Sequence, residues 1–398
     1  MRLPPPYDRL LIPIYLPTAL ISVSNQAMLL LLPLYALHIS GSPAYAALVM
    51  GCRGLGILLL DVPAGVLVGR FGDKLVLLGG VIANTLSVAA FALATDQWLV
   101  ALLAIPYGGG TTAWVLSRQS YITDTCAPDE RGRAIAVMAG IHRVGALVGP
   151  LAGGLVANFF GYPIAFLAGA GVSAAVIFIV LGFTRNVRPD SPGEWTSLAS
   201  IGRIVVTNRE IFTTAGYAAL TIQLMRAARQ LLVPLFGTLV GLDAATIGVV
   251  YSLSAALDMS LFYPVGVIMD RWGRKWTGVP STLLFVLGLT VLPLSQGFHS
   301  LLAGALILGF ANGLSTGIVM IVGMDLAPAG QRGEFLGVWR LIGDVGGVGA
   351  PLLTGVLVDI VSLGAASFVV AGLGLAGAVV FLLWVPETLR YDGDTRGS

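Results

Sequence analysis

The sequence predicts an all-α membrane protein of twelve transmembrane helices in two pseudo-symmetric six-helix halves. Three observations predict it. Of 398 residues, 56% are hydrophobic and only 11% charged, against roughly 25% charged in ordinary soluble domains. Apolar runs long enough to cross a ~30 Å hydrocarbon layer, about 20 residues each, recur about twelve times. And the chain repeats itself at a spacing of 201 residues, with almost no gaps. Pro33 recurs as Pro234, Gly65 as Gly266, Arg70 as Arg271, Gly72 as Gly273 and Lys74 as Lys275. Farther along, Asp124 recurs as Asp325, Arg131 as Arg332, Gly132 as Gly333, Pro150 as Pro351 and Gly154 as Gly355. Two like halves running in the same direction imply a duplicated bundle, with any substrate site expected at their junction.

The first six spans are predicted near 10–36, 43–66, 76–94, 98–122, 134–156 and 162–184. The second six are predicted near 212–238, 245–268, 277–296, 300–323, 334–358 and 364–386. These give a first half over 1–184, a linker over 185–211, a second half over 212–386 and a tail over 387–398. The linker carries Arg185, Arg188, Asp190, Pro192, Glu194, Arg203, Arg209 and Glu210. Its middle, Leu198 to Val206, reads equally as an amphipathic interfacial helix or a plain charged connection. The tail from Glu387 is short and polar and reads as disordered.

Orientation follows from the basic residues. Of 22 Lys and Arg, six arginines fall inside predicted spans and the other 16 lie in the termini and the even-to-odd connections. The remaining connections carry none. By the positive-inside rule both termini are cytoplasmic, in a plasma (inner) membrane. The net charge of +2 then carries no implication of nucleic-acid binding. Arg2 and Arg9 precede an apolar segment too long for a signal-peptide core, without a small-residue cleavage site, so it reads as a retained first helix.

Several functions are disfavoured. Cys52 falls in the second span and Cys126 in a connection, which supports neither a disulfide nor a metal site. His38, His142 and His299 are scattered, and no His/Ser/Asp constellation supports an enzyme. There is no G-x-x-x-x-G-K-[ST] loop to bind ATP, so no cofactor is expected and uphill transport would draw on a proton gradient or on exchange. The expected partners are a small-molecule substrate, protons and lipid, with the chain acting as a monomer.

Two motifs narrow the class. Gly266-Val-Ile-Met-Asp270-Arg271-Trp-Gly273-Arg274-Lys275 follows the eighth span. It resembles the G-x-L-x-D-R-x-G-R-R loop of the major facilitator superfamily, and the physics fits: glycine permits close helix packing, an acid can cap a neighbouring helix, and basic residues stay cytoplasmic. The resemblance implies a charge relay from Asp270 and Arg271 to Asp325, at the cytoplasmic end of the tenth span. A weaker copy, Gly65-Val-Leu-Val-Gly69-Arg70-Phe-Gly72-Asp73-Lys74, has Gly69 for the acid and Asp73 for a basic residue, while Asp124 holds the relay position. The fifth span carries Gly145-Ala-Leu-Val-Gly149-Pro150-Leu-Ala-Gly153-Gly154. It matches the family's g-x-x-x-G-P-x-x-G-G antiporter motif, typical of twelve-helix drug:proton exporters. Read from the residues alone, it lets the fifth helix approach a neighbour and bend at Pro150. The arginine usual early in the fourth helix of those exporters is missing: Leu102 to Pro106 leads directly into Tyr107-Gly108-Gly109-Gly110.

Nine ionisable residues fall at bilayer depth: Arg53, Asp61, Arg118, Arg143, Arg226, Arg229, Asp258, Arg340 and Asp344. Each costs about 2.5–3.5 kcal/mol at a helix centre on insertion scales, so they should face protein or a watery cavity. The resembling architecture sets span 2 against span 11 and span 5 against span 8. It thereby implies two ion pairs between the halves, Arg53–Asp344 and Arg143–Asp258. Such pairs either hold the halves in register or release an arginine when the carboxylate takes a proton. Asp61 could meet Arg118 or Arg340. Arg226 and Arg229, three residues apart, share roughly one face of the seventh helix and need acids, carbonyls or an anionic ligand.

The function expected is proton-coupled efflux (antiport) of an amphipathic small molecule by alternating access. Asp258, Asp344 and then Asp61 are the candidate proton carriers. Arg226, Arg229, Asn25, Gln26, Trp339 and Arg340 are the candidate substrate contacts. Proton-coupled uptake or exchange of an organic anion is the alternative, favoured by the arginine excess and the missing fourth-helix arginine. A non-transporting sensor or scaffold is a weaker one.

Overall fold

The computed structural model describes residues 7–186, 198–328 and 330–389, with the side chains of 198–201 excluded. Arg188, Asp190, Pro192 and Glu194 of the linker, and the tail beyond residue 389, lie outside the described residues. The described residues are helical throughout their regular structure.

The first half comprises α1 (Tyr7–Ser40), α2 (Pro43–Phe71), α3 (Asp73–Phe91), α4 (Gln97–Thr125), α5 (Pro128–Phe160) and α6 (Tyr162–Phe183). A short helix, Leu198–Thr207, then occupies the linker, as the amphipathic reading of that segment anticipates. In the second half α7 runs from Arg209–Ile211 through a π-helical turn, Phe212–Gly216, into Tyr217–Leu239. It is followed by α8 (Ala244–Trp272), α9 (Lys275–Leu294), α10 (Phe298–Leu326), α11 (Arg332–Ile360) and α12 (Leu363–Leu383). Eleven of these are long and apolar enough to cross a membrane on composition alone. The twelfth, α7, is diluted by Gln223, Arg226, Arg229 and Gln230, all of which line an internal cavity rather than face lipid.

The duplication is visible in local geometry. The π turn Leu11–Tyr15 in α1 recurs 201 residues later at Phe212–Gly216 in α7. Gly72 and Gly273 both adopt positive φ, 83° and 107°, which turns the chain sharply between α2 and α3 and between α8 and α9. Ser42 caps α2 by accepting from Tyr45 N at 3.2 Å, and Asp243, its counterpart, caps α8 by accepting from Thr246 N at 2.7 Å. Within each half the same partners pack: α1 on α5 and α6, α2 and α3 on α4, and α3 on α6, with equivalent pairings among α7 to α12.

Two spans expected to be continuous are interrupted. The α8 helix breaks at Leu261, between Ala244–Ser260 and Phe262–Trp272. Pro264 has no N–H to offer the Ser260 carbonyl, which makes this a place where the helix can break. The α10 helix breaks at Ser315–Gly317, where Gly317 has φ of 75°. The matching helices of the first half, α2 and α4, run unbroken for 29 residues each.

Where the basic loops lie, each half has its own apolar core: Leu10, Trp114 and Val180 belong to one, Phe212, Phe335 and Phe381 to the other. At the far end a single core spans both halves, joining Leu30–Ala36 of α1 to Leu231–Phe236 of α7. The halves therefore meet at the far end and diverge toward the basic end. The far-end seams depend on glycine: a Cβ at Gly154 of α5 or at Gly248 of α8 would strike backbone of the other helix, Ala244 and Pro150 respectively. On the opposite seam Gly51 and Gly54 of α2 face Leu352 and Val348 of α11.

Candidate functional site

Below the shared core lies a cavity of about 530 Å³, lined from both halves by α1, α2, α5, α7, α8, α10 and α11. A second lobe of about 460 Å³ shares Gln26, Arg53, Ala139, His142 and Gln230 with it. That lobe runs between α1, α4 and α5 toward the basic end, as far as Arg118, Gln119 and the exposed Ile135.

The helix breaks build the second-half wall. At the break in α10 the Ser315 carbonyl accepts from Ile318 N at 3.3 Å and also from Arg226 Nη2 at 2.6 Å, and Arg226 Nη2 donates to Ser315 Oγ at 2.7 Å. Arg226 Nη1 also donates to Gln223 Oε1 at 2.9 Å. One helical turn on, Arg229 is 7% exposed, donates to Ser254 Oγ at 2.8 Å and lies over the Tyr251 ring at 5.4 Å. Both arginines line the cavity, as expected of substrate contacts, but both are already held by neutral groups of their own half.

Where α5 meets α8, Arg143 Nη1 lies 3.0 Å from Asp258 Oδ1. Its other terminal nitrogen donates to Thr316 Oγ1 at 3.0 Å, and its guanidinium stacks 4.5 Å from the centre of the Phe262 ring. Asp258 Oδ2 accepts from Asn312 Nδ2 at 2.7 Å, so both carboxylate oxygens are engaged. This flank is one cation, one anion and a closed set of hydrogen bonds.

The structure does not make the other expected pair. Asp344 of α11 meets Arg340 one turn away, Oδ2 to Nε 3.7 Å, and interacts with the Asp61 carboxyl across the seam. Asp61 lies 2.9 Å from Arg340 Nη2, so one guanidinium serves two carboxylates. Arg53 instead turns toward the Tyr107 ring, 5.9 Å from its centre, and its Nε is buried without a hydrogen-bond partner. The reason is steric and positional. A Cβ at Gly108 of α4 would strike the Arg53 carbonyl, so α4 and its Tyr107 crowd that side of α2. Asp61, two turns nearer the basic end, takes Arg53's place as the α2 group at the seam, beside Asp344 and Arg340. Arg118, the other suggested partner for Asp61, faces the lower lobe instead.

Among the remaining candidates, Gln26 lines both lobes with Nε2 3.4 Å from His142 Nε2, and Asn25 Oδ1 accepts from Tyr107 OH at 3.3 Å in the lower lobe. Trp339 lines neither lobe of the central cavity. It is buried at 4% exposure against Gly323 and Phe335, with Nε1 donating to Val319 O at 2.8 Å, because its helix turns that face into the second-half core. Residues unmarked in the sequence also matter: Gln223, Gln230, His142, Asn312, Ser315 and Thr316 line or brace the cavity. The only sequence signal for the last three is the small and polar run Asn312-Gly-Leu-Ser-Thr-Gly317 inside an apolar segment.

The loop motifs differ between halves. In the second, Arg274 holds Asp325, Nε to Oδ2 3.0 Å, reaches Asp270 at 3.9 Å and donates to Met269 O at 2.8 Å. The guanidinium that grips Asp325 is thus that of Arg274, three residues beyond Arg271. In the first half Asp73 stands at that position, fully buried, with Asp124 as its neighbour and both oxygens without a hydrogen-bond partner. Gly65 and Gly266 have open space around them. The start of the tail, expected to be disordered, is fixed. Glu387 accepts from Arg274 N at 2.8 Å and Lys275 N at 3.0 Å, capping α9. Asn186, 201 residues earlier, accepts from Lys74 N at 3.2 Å and donates to Phe71 O at 3.1 Å.

The fifth-helix motif works as a contact surface within one continuous helix. Gly145, Gly149 and Gly153 face Ser22, Gln26 and Ala27 of α1, where added Cβ atoms would come within 2.8 Å of their neighbours, and Gly154 faces α8.

Comparison with known proteins agrees with this architecture. The sequence profile of the Major Facilitator Superfamily matches residues 14–347, and a second match covers 218–398. The chain is similar to the multidrug resistance protein MdtH of Photorhabdus laumondii, 26% identical over 328 residues, which cover 78% of this chain and 77% of that protein. It is similarly related to the MdtH of Aeromonas hydrophila, 26% identical with 80% of each covered. Its fold superimposes on the nucleoside transporter NupG with a TM-score of 0.80 at 13% identity, covering 95% of this chain and 100% of that one. A POT family transporter gives 0.75 at 12% identity, over 94% and 96%. The human organic anion transporter MFSD10 gives 0.68 at 15%, over 95% and 100%. The duplicated halves, the paired loop motifs and the profile match agree: the chain belongs to the Major Facilitator Superfamily, a family of membrane transporters.

Proposed function

We propose that this protein exports an amphipathic small molecule in exchange for protons, by rocking of its halves about the central cavity. The observation that carries the reading is the Asp61–Asp344–Arg340 cluster on the α2–α11 seam. Two carboxylates and one guanidinium leave one negative charge uncompensated, at a depth where an unpaired charge is expensive. A proton from the aqueous cavity neutralises it and frees Arg340 from one of its two partners, which loosens that seam. Asp258, with both oxygens engaged and a full countercharge, is the poorer carrier, so the coupling role passes from Asp258 to the Asp61–Asp344 pair. The multidrug resistance names of relatives that align over about four-fifths of the chain support the substrate class.

In this reading the basic end faces the cytoplasm of a bacterial-type inner membrane, by the positive-inside rule. The chain works as a monomer, with no cofactor beyond the proton gradient. Purified protein in liposomes with an imposed pH gradient tests it. Asp61→Asn and Asp344→Asn are expected to abolish gradient-driven accumulation of a lipophilic substrate while leaving substrate-for-substrate exchange at equal pH. Retention of gradient-driven transport by both variants would overturn the assignment.

A further inference from the structure

Two guanidinium groups in the cavity wall are left over by this reading. Arg53 and Arg118 both line the lower lobe. Each has a buried Nε without a hydrogen-bond partner, and Arg118 is only 7% exposed. Among the described residues no carboxylate lies within ion-pair distance of either, nor of Arg226 or Arg229. Arg53 touches the Tyr107 side chain and Arg118 has no side-chain partner among the described residues, whereas on the opposite wall Arg226 and Arg229 donate to Ser315, Gln223 and Ser254. The lower lobe also has a defined length. Arg53 sits level with Gly108, and Arg118 follows ten residues later on α4, about 15 Å nearer the basic end. Between them the wall is mainly apolar, with Trp114, Val115 and Met138, and carries the small polar groups of Thr111, Ser22 and Asn25.

We infer that this lobe is a binding site for an amphipathic organic anion, a carboxylate, sulfonate or phosphate carried on an apolar body. Arg118 receives the anionic head near the basic end, Arg53 holds it at the level of the central cavity, and the body lies along Trp114 and Met138. The inference rests on the transport reading and specifies its substrate. A planar guanidinium with free donors is suited to an oxyanion, and a site walled from bulk water makes the interaction selective against uncharged analogues.

The test is equilibrium binding to the full chain in phosphatidylcholine nanodiscs, with 2-naphthoxyacetate and its uncharged amide as probes. The anion is expected to bind about tenfold or more tighter than the amide, the loss typical of an unmade charge-assisted hydrogen bond. Arg118→Gln and Arg53→Gln should each bring that ratio toward one, and Arg118→Lys should keep most of it. Equal binding of the two probes by the unaltered protein, or an unchanged ratio in both Gln variants, would overturn the site. Proton release driven by tetraphenylphosphonium, measured on the same protein in liposomes, separates the two readings. If it persists while the anion preference is absent, the anion site alone falls; if both are absent, the transport reading falls with it.

Discussion

The two seams between the halves occupy equivalent places in the duplication and carry opposite charge arrangements. Arg143 of α5 and Asp344 of α11 are 201 residues apart, as are Asp61 and Phe262. On the α5–α8 seam Arg143 faces Asp258 and stacks on Phe262. On the α2–α11 seam Asp344 faces Asp61, and Arg340 is added to hold both. One seam is neutral and saturated with hydrogen bonds, while the other is one positive charge short. Duplication therefore supplied a common scaffold, and divergence left one flank charge-balanced and the other with two carboxylates on one guanidinium.

The largest expected effects break this contrast directly. Asp258→Ala strands the Arg143 guanidinium, and loss of one partner from a buried pair costs about 3–5 kcal/mol. The doubly exchanged Arg143→Asp/Asp258→Arg protein should recover a substantial part of that loss, measured by thermal unfolding in detergent. On the other seam the signs divide. Arg340→Gln leaves two facing carboxylates and should destabilise by a comparable amount, whereas Asp344→Asn removes a repulsion and should cost less than about 1 kcal/mol. Equal costs for Asp344→Asn and Asp258→Ala would mean that the seams do not differ as their geometry implies.

A smaller effect separates the two loops. In the second half Arg274 neutralises Asp325, so Asp325→Asn gives up a partly exposed ion pair and should destabilise by about 0.5–1 kcal/mol. In the first half Asp73 and Asp124 are like charges, and Asp73 is fully buried with both oxygens unsatisfied. Asp73→Asn should therefore stabilise by about 1–2 kcal/mol at neutral pH, by removing a buried charge that lies beside Asp124 and has no countercharge. A loss of stability in Asp73→Asn would show that the carboxylate serves the N-terminus of α3 more than it suffers from burial.

How much of this is legible in the sequence depends on range. The fold follows from apolar length and the 201-residue repeat, because a span is a local property and the loop motifs mark each half twice. Arg143–Asp258 follows from the family architecture, since two mid-helix residues of opposite charge on helices that must touch have few other partners. Arg53–Asp344 fails because depth on a helix is uncertain by a turn or two. Asp61, eight residues along α2, is the acid at the seam, and the side of α2 carrying Arg53 is crowded by Tyr107. The breaks in α8 and α10 are only half legible. Pro63 and Pro264 are 201 residues apart, yet α2 runs through its proline and α8 stops before it. A proline marks where a helix can break, and packing decides whether it does.

The smallest effect sharpens the comparison at the caps of α3 and α9. Asn186 and Glu387 occupy equivalent places and accept from equivalent backbone N–H groups, but only Glu387 is charged. Partial burial would raise the Glu387 carboxyl, but hydrogen bonds from the backbone of Arg274, Lys275, Leu389 and Thr388 outweigh it and hold the group below its ordinary value. A folded-state value below the unfolded one stabilises where the group is ionised. The contribution is therefore fully present above about pH 4.3 and is lost as the pH falls below it. Glu387→Gln should cost about 0.5–1 kcal/mol of local stability at pH 7, in the range of a lost N-cap, and progressively less as the pH falls through the depressed folded-state value. Asn186→Ala should cost a similar or smaller amount that does not change with pH. Hydrogen exchange at the Lys275 and Lys74 amides reads each cap separately. Equal exchange at Lys275 in Glu387→Gln and unaltered protein at pH 7 would reduce Glu387 to a bystander and leave the two halves capped alike.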